Sequence, residues 1–497
     1  MNGSIIRYIL GKVMQMEGAL LLLPVFVSMY YNEPEGISYV IAAGCTVVLG
    51  TLLSVKPPSD TVFYLKEGCI ATALSWMLLS FFGAFPFILT EEIPNFTDAV
   101  FESASGFTTT GASILSDVEM LSHTSLFWRS FTHWIGGMGV LVFLLAVIPL
   151  TGGSNINLMR AESTGPAVGK LVPRIKTTAR ILYIIYFGLS FIEFILLIIC
   201  RMPVFDAITL TFGTAGTGGF GVLNSSIASY SVACQWIFII FMFLFGVNFN
   251  AFYFILLRRV KEAFAMEEVR AYFTIAFTAT VVIAINIYRS CSGVFDAVTK
   301  SAFQVVSVMT TTGYSTVDFD LWPTFSKTVL VLLMFIGACA GSTGGGIKVS
   351  RILILFKTGL KELASFLYPR SVRKVNMDHK PVDHDVIRST NVYMVTFILM
   401  FVSSMLLVSL SGYDLITTFT AVAATINNIG PGFAEVGPTQ NFSIFNGPTT
   451  WVLIFDMLLG RLEMFPLLIL FHPELWKEVI DQRKKKIYTD FRKKRIP

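Results

Sequence analysis

The stretch that decides the fold covers residues 96–113 and reads Phe-Thr-Asp-Ala-Val-Phe-Glu-Ser-Ala-Ser-Gly-Phe-Thr-Thr-Thr-Gly-Ala-Ser. It is too short to cross a bilayer, because a helix needs about 20 apolar residues to span ~30 Å of hydrocarbon. An aromatic residue and an aspartate at its start, Phe96 and Asp98, predict an N-cap followed by a half-helix. Three threonines and a glycine then end the helix. The sequence therefore predicts a segment that enters the membrane, exposes a strip of backbone and turns back.

The same pattern occurs three more times along the chain. The later copies start at Phe205-Asp206, Phe295-Asp296 and Tyr413-Asp414, and they reach Ala215-Gly216-Thr217-Gly218-Gly219, Thr310-Thr311-Thr312-Gly313-Tyr314 and Asn427-Asn428-Ile429-Gly430-Pro431. The four copies lie at intervals of roughly 100 residues between long apolar segments, which indicates an internal repeat.

The composition of the chain indicates a membrane protein. Of its 497 residues, 54% are hydrophobic and 14% are charged, whereas soluble proteins carry about 25% charged residues. The net charge of +5 comes from basic residues in loops and at the C-terminus, so we expect no nucleic-acid partner. We predict an all-α polytopic membrane protein, in which four pseudo-symmetric repeats of span, pore loop and span surround one central pore, with two extra N-terminal transmembrane helices.

The predicted organisation has ten membrane crossings. Its units are two extra helices (1–66), pore repeats 1 to 4 (67–160, 161–262, 263–375 and 376–472) and a basic cytoplasmic tail (473–497). The second spans of the four repeats are expected at 126–150, 231–257, 328–356 and 449–471.

The distribution of charge predicts the orientation. Residues 90–122 contain six acidic residues and no Lys or Arg, while residues 151–180 contain five basic residues and one acid. By the positive-inside rule, the pore loops open to the outside and both termini are cytoplasmic. This topology implies that the lipid bilayer is a partner of the chain.

Four broken half-helices indicate a cation pore. Irregular backbone at membrane depth persists only where protein encloses it or where it lines a water-filled cavity. The C-terminal end of each half-helix favours a cation, and a ring of carbonyl oxygens can replace the hydration shell of a large monovalent cation. The predicted filter pairs are Thr109 and Thr110, Gly216 and Thr217, Thr311 and Thr312, and Asn428 and Ile429, each ending at a glycine: Gly111, Gly218, Gly313 or Gly430.

The glycines have two other possible interpretations. They could provide small-residue packing between helices, which is common in membranes but does not explain four aligned loops. They could also form a phosphate-binding loop. The nearest match, residues 341–348, lacks the Gly-Lys-Ser/Thr ending of such a loop.

The four filter motifs, together with Gly460-Arg461-Leu462-Glu463 in the last span, resemble the Trk/Ktr/HKT superfamily of potassium transporters. The two extra N-terminal helices make the chain most similar to the bacterial TrkH-type branch. The resemblance covers essentially the whole chain.

The resemblance implies a potassium-uptake pore in a bacterial inner membrane. Backbone at residues 109–111, 216–218, 311–313 and 428–430 would coordinate the transported K⁺, and Gly111 favours potassium because serine tends to replace it in sodium-selective plant relatives. Members of this superfamily pair as homodimers. The TrkH-type branch works with a cytosolic TrkA-like ring that binds nucleotides, and the chain itself contains no nucleotide motif and is expected to hold no cofactor.

A glycine-rich stretch in the second span of the third repeat predicts an irregular loop at residues 337–346, because each glycine weakens a helix by about 1 kcal/mol relative to alanine. A kinked helix packed on a neighbour is the alternative. The resemblance implies an intramembrane gating loop here. We assign the gate to the following residues: Gly341, Gly344, Gly345, Gly346 and Lys348, with Arg461.

Arg461 lies in an apolar segment, where an unpaired charge costs a few kcal/mol. We hypothesise that it projects under the filter and raises an electrostatic barrier. Pairing with Glu463 is the alternative, although side chains two residues apart on a helix do not face each other. We expect the other charged and histidine residues in the spans to pair between helices, without an assigned function: Glu193, Asp456, Arg129 and His133.

Three alternative functions stay open on the sequence alone. One is a proton- or sodium-coupled symporter, which would need buried acids in the spans, and another is a Ktr-type sodium-dependent transporter. The third is a membrane-embedded enzyme, against which the five dispersed histidines argue. The sequence therefore favours a transporter and not an enzyme.

Overall fold

The computed structural model describes residues 2–58, 64–139, 175–371 and 373–477, and for residues 175–179 only the backbone. Before the repeats come α1 (Gly3–Leu20), α2 (Leu23–Tyr31) and α3 (Gly36–Ser54). The first predicted repeat contains α4 (Leu65–Phe82), α5 (Phe85–Leu89), α6 (Phe96–Phe107) and α7 (His123–Met138). The second contains α8 (Ile175–Ile199), α9 (Val204–Gly216), α10 (Val232–Phe245), α11 (Phe249–Leu256) and α12 (Val260–Ala265).

The third predicted repeat contains α13 (Glu267–Ile287), α14 (Val294–Met309), α15 (Thr324–Phe335) and α16 (Val349–Leu367). The fourth begins with an antiparallel hairpin of β1 (Asn376–Met377) and β2 (Lys380–Pro381) and continues with α17 (His384–Ser409), α18 (Leu415–Ile426), α19 (Gly447–Arg461) and α20 (Phe465–Leu468). Single 3₁₀ turns lie at Tyr288–Ser290, Phe319–Leu321, Ala434–Val436, Phe442–Ile444 and Ile469–Phe471.

The protein is a helical, multi-pass membrane protein. Within the described ranges, six helical segments are long and apolar enough to cross a bilayer, and a seventh results if the bent pair α10 and α11 is one span. A long apolar helix pairs its backbone N–H and C=O groups with one another, which the hydrocarbon core of a bilayer requires because it offers no water to bond them.

The second spans of the predicted repeats are not continuous helices. The segment expected at 231–257 bends by 93° between α10 and α11, and the one expected at 449–471 ends at Arg461, followed by positive φ values of 56° at Glu463 and 67° at Met464. The interruption predicted in the third repeat is present, between Phe335 and Val349. The span expected at 126–150 is helical to Met138, and its remainder lies outside the described residues.

The four predicted half-helices are α6, α9, α14 and α18, but the prediction that each aspartate is an N-cap is correct only for Asp414. Its carboxylate accepts from the backbone N–H groups of Ile416 and Thr417. The others, Asp98, Asp206 and Asp296, lie within the first helical turn, where a carboxylate still interacts favourably with the positive end of the helix dipole. The hydroxyl of Thr417 donates to the exposed Asp414 carboxylate and, together with the backbone N–H groups, holds the pKa of that carboxyl below its ordinary value.

The two extra N-terminal helices pack closely through glycines. A Cβ on Gly50 of α3 would lie 2.7 Å from the carbonyl oxygen of Gly11, and a Cβ on Gly11 of α1 would lie 2.6 Å from the carbonyl oxygen of Gly50. Small residues allow two helix backbones to approach, which is a main source of helix association in membranes.

Glu33, in the turn after α2, ties the extra helices to the first repeat. Its carboxylate accepts from the backbone N–H of His123 at 2.8 Å and of Thr124 at 2.9 Å, and from the Thr124 hydroxyl at 2.6 Å. A carboxylate from another part of the chain thus satisfies the free N–H groups that begin α7.

We expect Gly50→Val to separate α1 from α3, because its side chain meets backbone atoms that cannot move aside. Overpacking of this kind costs about 1–3 kcal/mol, so the midpoint of thermal unfolding in detergent should fall. The matched control is Gly44→Val on the same helix, because a Cβ on Gly44 meets nothing within 4 Å. Equal midpoints for the two variants would contradict this account of the packing.

Candidate functional site

All four half-helices end in the same way. One residue at the end of each half-helix takes a left-handed conformation, with φ of 54° at Thr109, 55° at Thr217, 60° at Thr311 and 55° at Asn428. The next N–H then returns to a carbonyl five residues earlier, in the hydrogen-bond pattern of a Schellman motif. These bonds run from Thr110 to Ser105, Gly218 to Gly213, Thr312 to Ser307 and Ile429 to Ala424, at 2.8–2.9 Å.

This repeated ending corrects the predicted register of the second filter segment. The glycine with positive φ that follows each ending is Gly111, Gly219, Gly313 or Gly430. Thr217, Gly218 and Gly219 therefore correspond to Thr109, Thr110 and Gly111, and Gly216 is the last residue of α9. Three glycines in five residues made the alignment ambiguous; the aromatic residue after the glycine, Phe220 here and Tyr314 in the third copy, is the signal that could have resolved it.

We call residues 109–111, 217–219, 311–313 and 428–430 the four glycine turns. Their glycines interlock in a closed circle. A Cβ on Gly111 would overlap the carbonyl oxygen of Gly218, one on Gly219 that of Thr312, and one on Gly313 that of Ile429. The circle closes because a Cβ on Gly430 would lie 2.9 Å from the carbonyl oxygen of Thr110. Each turn thus contacts the next one along the chain through main-chain atoms, and the fourth turn contacts the first.

On one side, the four glycine turns border a cavity of about 160 Å³. Each turn contributes its glycine to the wall, and further lining comes from residues just beyond the turns, including Ser113, Gly221, Ser315 and Pro431. Arg129 and the amide side chains of Asn224, Gln440 and Asn441 also line this approach to the turns.

A buried ion pair braces the first two glycine turns. Arg129 of α7 and Glu102 of α6 are 2% and 1% exposed, and Arg129 Nε donates to Glu102 at 2.7 Å. The guanidinium also donates to the Gly221 carbonyl at 3.3 Å and lies 4.1 Å from the centre of the Phe220 ring. The predicted pairing of Arg129 between helices is therefore present, and removing one partner of such a pair typically costs 3–5 kcal/mol.

His133 of α7 makes a second link between the first two turns. One ring nitrogen, Nδ1, lies 2.8 Å from the Gly106 carbonyl, and Nε2 accepts from the Phe220 N–H at 3.2 Å. Nδ1 must therefore carry the proton that is donated to Gly106. Sequence reasoning placed His133 in a helix contact and missed that the contact supports the turns.

The irregular loop of the third repeat lies against the opposite side of the turns. The Gly345 N–H donates to the Thr311 hydroxyl at 2.6 Å, and a Cβ on Gly345 would lie 2.7 Å from the Asn427 carbonyl oxygen. A Cβ on Gly344 would lie 2.9 Å from the Thr310 carbonyl oxygen, and one on Gly346 3.6 Å from the Thr311 methyl. Gly341 lies further away, where its carbonyl accepts from the Phe249 N–H at 3.1 Å.

Lys348 bonds to two carbonyl groups of the same loop. Its ammonium, in a side chain that is 1% exposed, donates to the carbonyl of Gly344 and, at 3.2 Å, to that of Gly345. The predicted gate residues Gly344, Gly345, Gly346 and Lys348 are therefore gathered beneath the turns.

Arg461, the last residue of α19, joins the loop to the first turn. Its guanidinium donates to the Thr343 carbonyl at 2.9 Å, to the Thr109 hydroxyl at 3.2 Å and to the Gly137 carbonyl at 2.9 Å. Glu463, which the sequence offered as a partner for Arg461, accepts from Arg351 of α16. A positive charge thus lies directly on the loop side of the turns.

Asp456 and Glu193, the two acids that are also predicted to pair between helices, have different surroundings. Asp456 of α19 accepts from the Ser404 hydroxyl of α17 at 2.6 Å, a contact of the expected kind. Glu193 of α8 is fully buried. Within the described ranges, no group of three His, Cys, Asp or Glu residues is placed to hold a metal ion.

The chain is similar to known cation transport proteins. A family model described as TrkH, a cation transport protein, matches residues 38–478. The Trk system potassium uptake protein TrkH of Salmonella typhimurium is 36% identical over 490 residues, covering 96% of this chain and all of the relative. TrkG of Escherichia coli K12 is 33% identical over 488 residues, with the same shares covered.

A crystal structure of the potassium transporter TrkH from Vibrio parahaemolyticus superimposes with a TM-score of 0.86 at 32% identity. The match covers 96% of this chain and all of that one.

We expect Gly219→Ala to disrupt the second glycine turn. The backbone there has a φ of 80°, which costs an L-residue roughly 1–2 kcal/mol, and the new methyl would overlap the Thr312 carbonyl oxygen. Flux of a monovalent cation tracer into proteoliposomes should fall by at least about tenfold. Gly188→Ala is the control, since a Cβ there meets nothing within 4 Å. Normal flux through the Gly219 variant would refute the corrected register.

Proposed function

Because the chain belongs to the TrkH family of cation transport proteins, a family of transporters and not enzymes, we propose that it is the pore-forming subunit of a potassium-uptake system. The observation that carries the proposal is the closed circle of four glycine turns, each made by a half-helix with the same ending. Four such endings around one axis offer main-chain oxygens to a cation from four directions.

The repeated endings support the proposed architecture of four pseudo-symmetric repeats around one pore, with units at 67–160, 161–262, 263–375 and 376–472. Residues 1–66 are the two extra helices and residues 473–497 the basic tail. Of that tail, only 473–477 lie within the described residues. The half-helices direct their negative C-terminal ends toward the circle, which favours a cation there.

We propose that K⁺ is coordinated by main-chain oxygens of the turns, namely those of Thr109, Thr110, Gly111, Thr217, Gly218, Gly219, Thr311, Thr312, Gly313, Asn428, Ile429 and Gly430. Backbone oxygens suit K⁺ because they can replace the water shell of a large cation whose hydration is weak. The interlocked glycines support this choice, because a side chain at any of them would push two turns apart.

We further propose that the glycine loop and Arg461 form the gate. The loop lies against the Thr311 hydroxyl and the Asn427 carbonyl, so in this conformation it obstructs the path beyond the turns. Arg461 adds a positive charge at the same level, which would repel a cation leaving the turns.

We place the chain in a bacterial inner membrane with both termini in the cytoplasm, as a homodimer controlled by a cytosolic TrkA-like ring. Basic residues on α16 and in the segment that follows it offer a cytoplasmic surface for such a partner or for anionic lipid. Arg351 does not belong to that surface, because it is 7% exposed and pairs with Glu463. The basic stretch at 160–174 lies outside the described residues.

A coupled symporter is the second candidate, and buried acids favour it. Glu17, Glu193 and Asp456 lie in helices of the membrane region and are at most 1% exposed. Carboxyl groups in such positions are typical of proton pathways. They lie outside the glycine turns, so the pore proposal does not need them.

Isotope flux into proteoliposomes of the purified chain tests both functions. The pore proposal expects K⁺ to flow down its own gradient, to reverse when that gradient reverses, and to exceed Na⁺ flux, with proton and sodium gradients absent. Uphill K⁺ movement driven by a proton or sodium gradient would favour the symporter or a sodium-dependent transporter. Equal fluxes of K⁺ and Na⁺ would refute a potassium filter.

We expect Arg461→Ala to increase K⁺ flux. The substitution removes a positive charge below the turns and frees the Thr343 carbonyl from its donor. One unit charge acting over ~10 Å at an effective dielectric constant of about 20 changes the flux on the order of tenfold. Arg461→Lys, which retains the charge, should stay close to the unaltered protein. Unchanged flux in a correctly folded Arg461→Ala variant would remove the barrier role.

A further inference from the structure

The loop between α15 and α16 is held from outside by a residue that the sequence did not indicate. Glu268, in the first turn of α13, is 5% exposed. Its Oε1 accepts from the Ala340 N–H at 2.7 Å and from the Ser350 N–H at 3.1 Å. One carboxylate oxygen therefore joins the two flanks of the loop.

The bond to Ser350 also supplies a missing helix cap. Lys348 is the N-cap of α16, and its ammonium, which has no acceptor atom and donates to the loop carbonyls, cannot accept from the free N–H groups of that helix. The Glu268 carboxylate reaches the second N–H of α16 instead, at the positive end of the helix dipole. Charge-assisted bonds of this kind are about twice as strong as neutral ones.

The other oxygen of Glu268 connects the loop to the bend of the second repeat. Oε2 accepts from Asn248 Nδ2 at 3.2 Å, and Asn248 Oδ1 accepts from the Asn250 N–H at the start of α11. Around this bond, the Cys339 N–H donates to the Gly246 carbonyl at 3.0 Å, and the Phe249 N–H donates to the Gly341 carbonyl at 3.1 Å. The loop, the first turn of α16 and the bend of the second repeat therefore meet at one buried carboxylate.

We propose that Glu268 is the positioning residue that holds the glycine loop in its blocking position. The inference rests on the proposed function of the loop as a gate. Loss of the carboxylate leaves the Ala340 and Ser350 N–H groups without their acceptor in a region of low dielectric constant. The blocking position of the loop then becomes less stable relative to any conformation in which water can reach these two N–H groups. Glu268 acts through the loop and does not touch the ion.

Cys339 provides a reporter within the loop, because it is a free thiol and 0% exposed. The test uses the full chain with the other cysteines, Cys45, Cys69, Cys200, Cys234 and Cys291, replaced by serine, after this background is shown to conduct. The readouts are the rate at which a small water-soluble methanethiosulfonate reagent modifies Cys339, and K⁺ flux per folded molecule in proteoliposomes.

We expect Glu268→Leu to raise both the flux and the modification rate by at least about tenfold, since the loss of even one charge-assisted bond weakens the held position by roughly that factor. Glu268→Gln keeps an oxygen for the two N–H groups and should give a smaller rise. It also serves as the test if the leucine variant fails to fold.

Glu267→Gln is the matched control. Glu267 precedes Glu268 in the same helical turn but pairs with Lys357 at the surface, so its loss should change both readouts by less than about threefold.

Unchanged Cys339 reactivity in the Glu268 variants, with flux either unchanged or reduced, would overturn the inference, because a carboxylate with a purely structural role lowers stability without releasing the loop. If neither the unaltered protein nor the Glu268 variants conduct K⁺, the proposed function fails instead. The two failures are therefore distinguishable.

Discussion

The structure depends on one constraint: main chain that leaves a helix inside a membrane needs protein partners for its N–H and C=O groups. The glycine turns meet it in two ways. Each Schellman ending returns an N–H group to its own half-helix, and each turn then fits against the next through a glycine that no Cβ obstructs. The left-handed conformations at Thr109, Thr217, Thr311 and Asn428 are unfavourable for residues with a Cβ, so the surrounding contacts must impose them. The contacts among the four turns therefore stabilise conformations that the residues alone would not favour.

The supports behind the turns differ from one junction to the next. Between the first and second turns they are ionic and aromatic, from Arg129, Glu102 and His133. Between the second and third, the Tyr314 hydroxyl donates to the Leu210 carbonyl at 2.9 Å. Between the fourth and first, the Asn428 amide donates to the Thr110 hydroxyl at 2.9 Å. A single chain can give each junction its own chemistry, so a substitution at one junction is not repeated at the other three.

The sequence predicted the features that repeat and missed those that come from contacts between repeats. Four copies of an aromatic–Asp start and a glycine end revealed the half-helices, and the glycine content of 337–346 revealed the break in the third repeat. The offset of Gly219 escaped because three glycines in five residues left the alignment ambiguous. The 93° bend after Phe245 and the helix end at Arg461 escaped because the bonds that accompany them are made to other repeats. Glu268 escaped because the N–H groups that donate to it, those of Ala340 and Ser350, lie 72 and 82 residues further along the chain, and composition alone does not bring them together.

The breaks in the second spans occur where the helices pass below the turns, and their polar groups bond to one another. The loop of the third repeat donates to the carbonyl of Gly246 in the bend of the second repeat, and Arg461 at the end of α19 donates to the loop carbonyl of Thr343 and to Gly137 near the end of α7. If the loop moved alone, it would leave acceptors and donors unpaired at each of these places, at about 1–3 kcal/mol per buried group. Concerted movement, in which the bend and the end of α19 find new partners together, avoids that cost. The hydrogen-bond pattern thus favours two discrete arrangements of this region over gradual displacement of the loop.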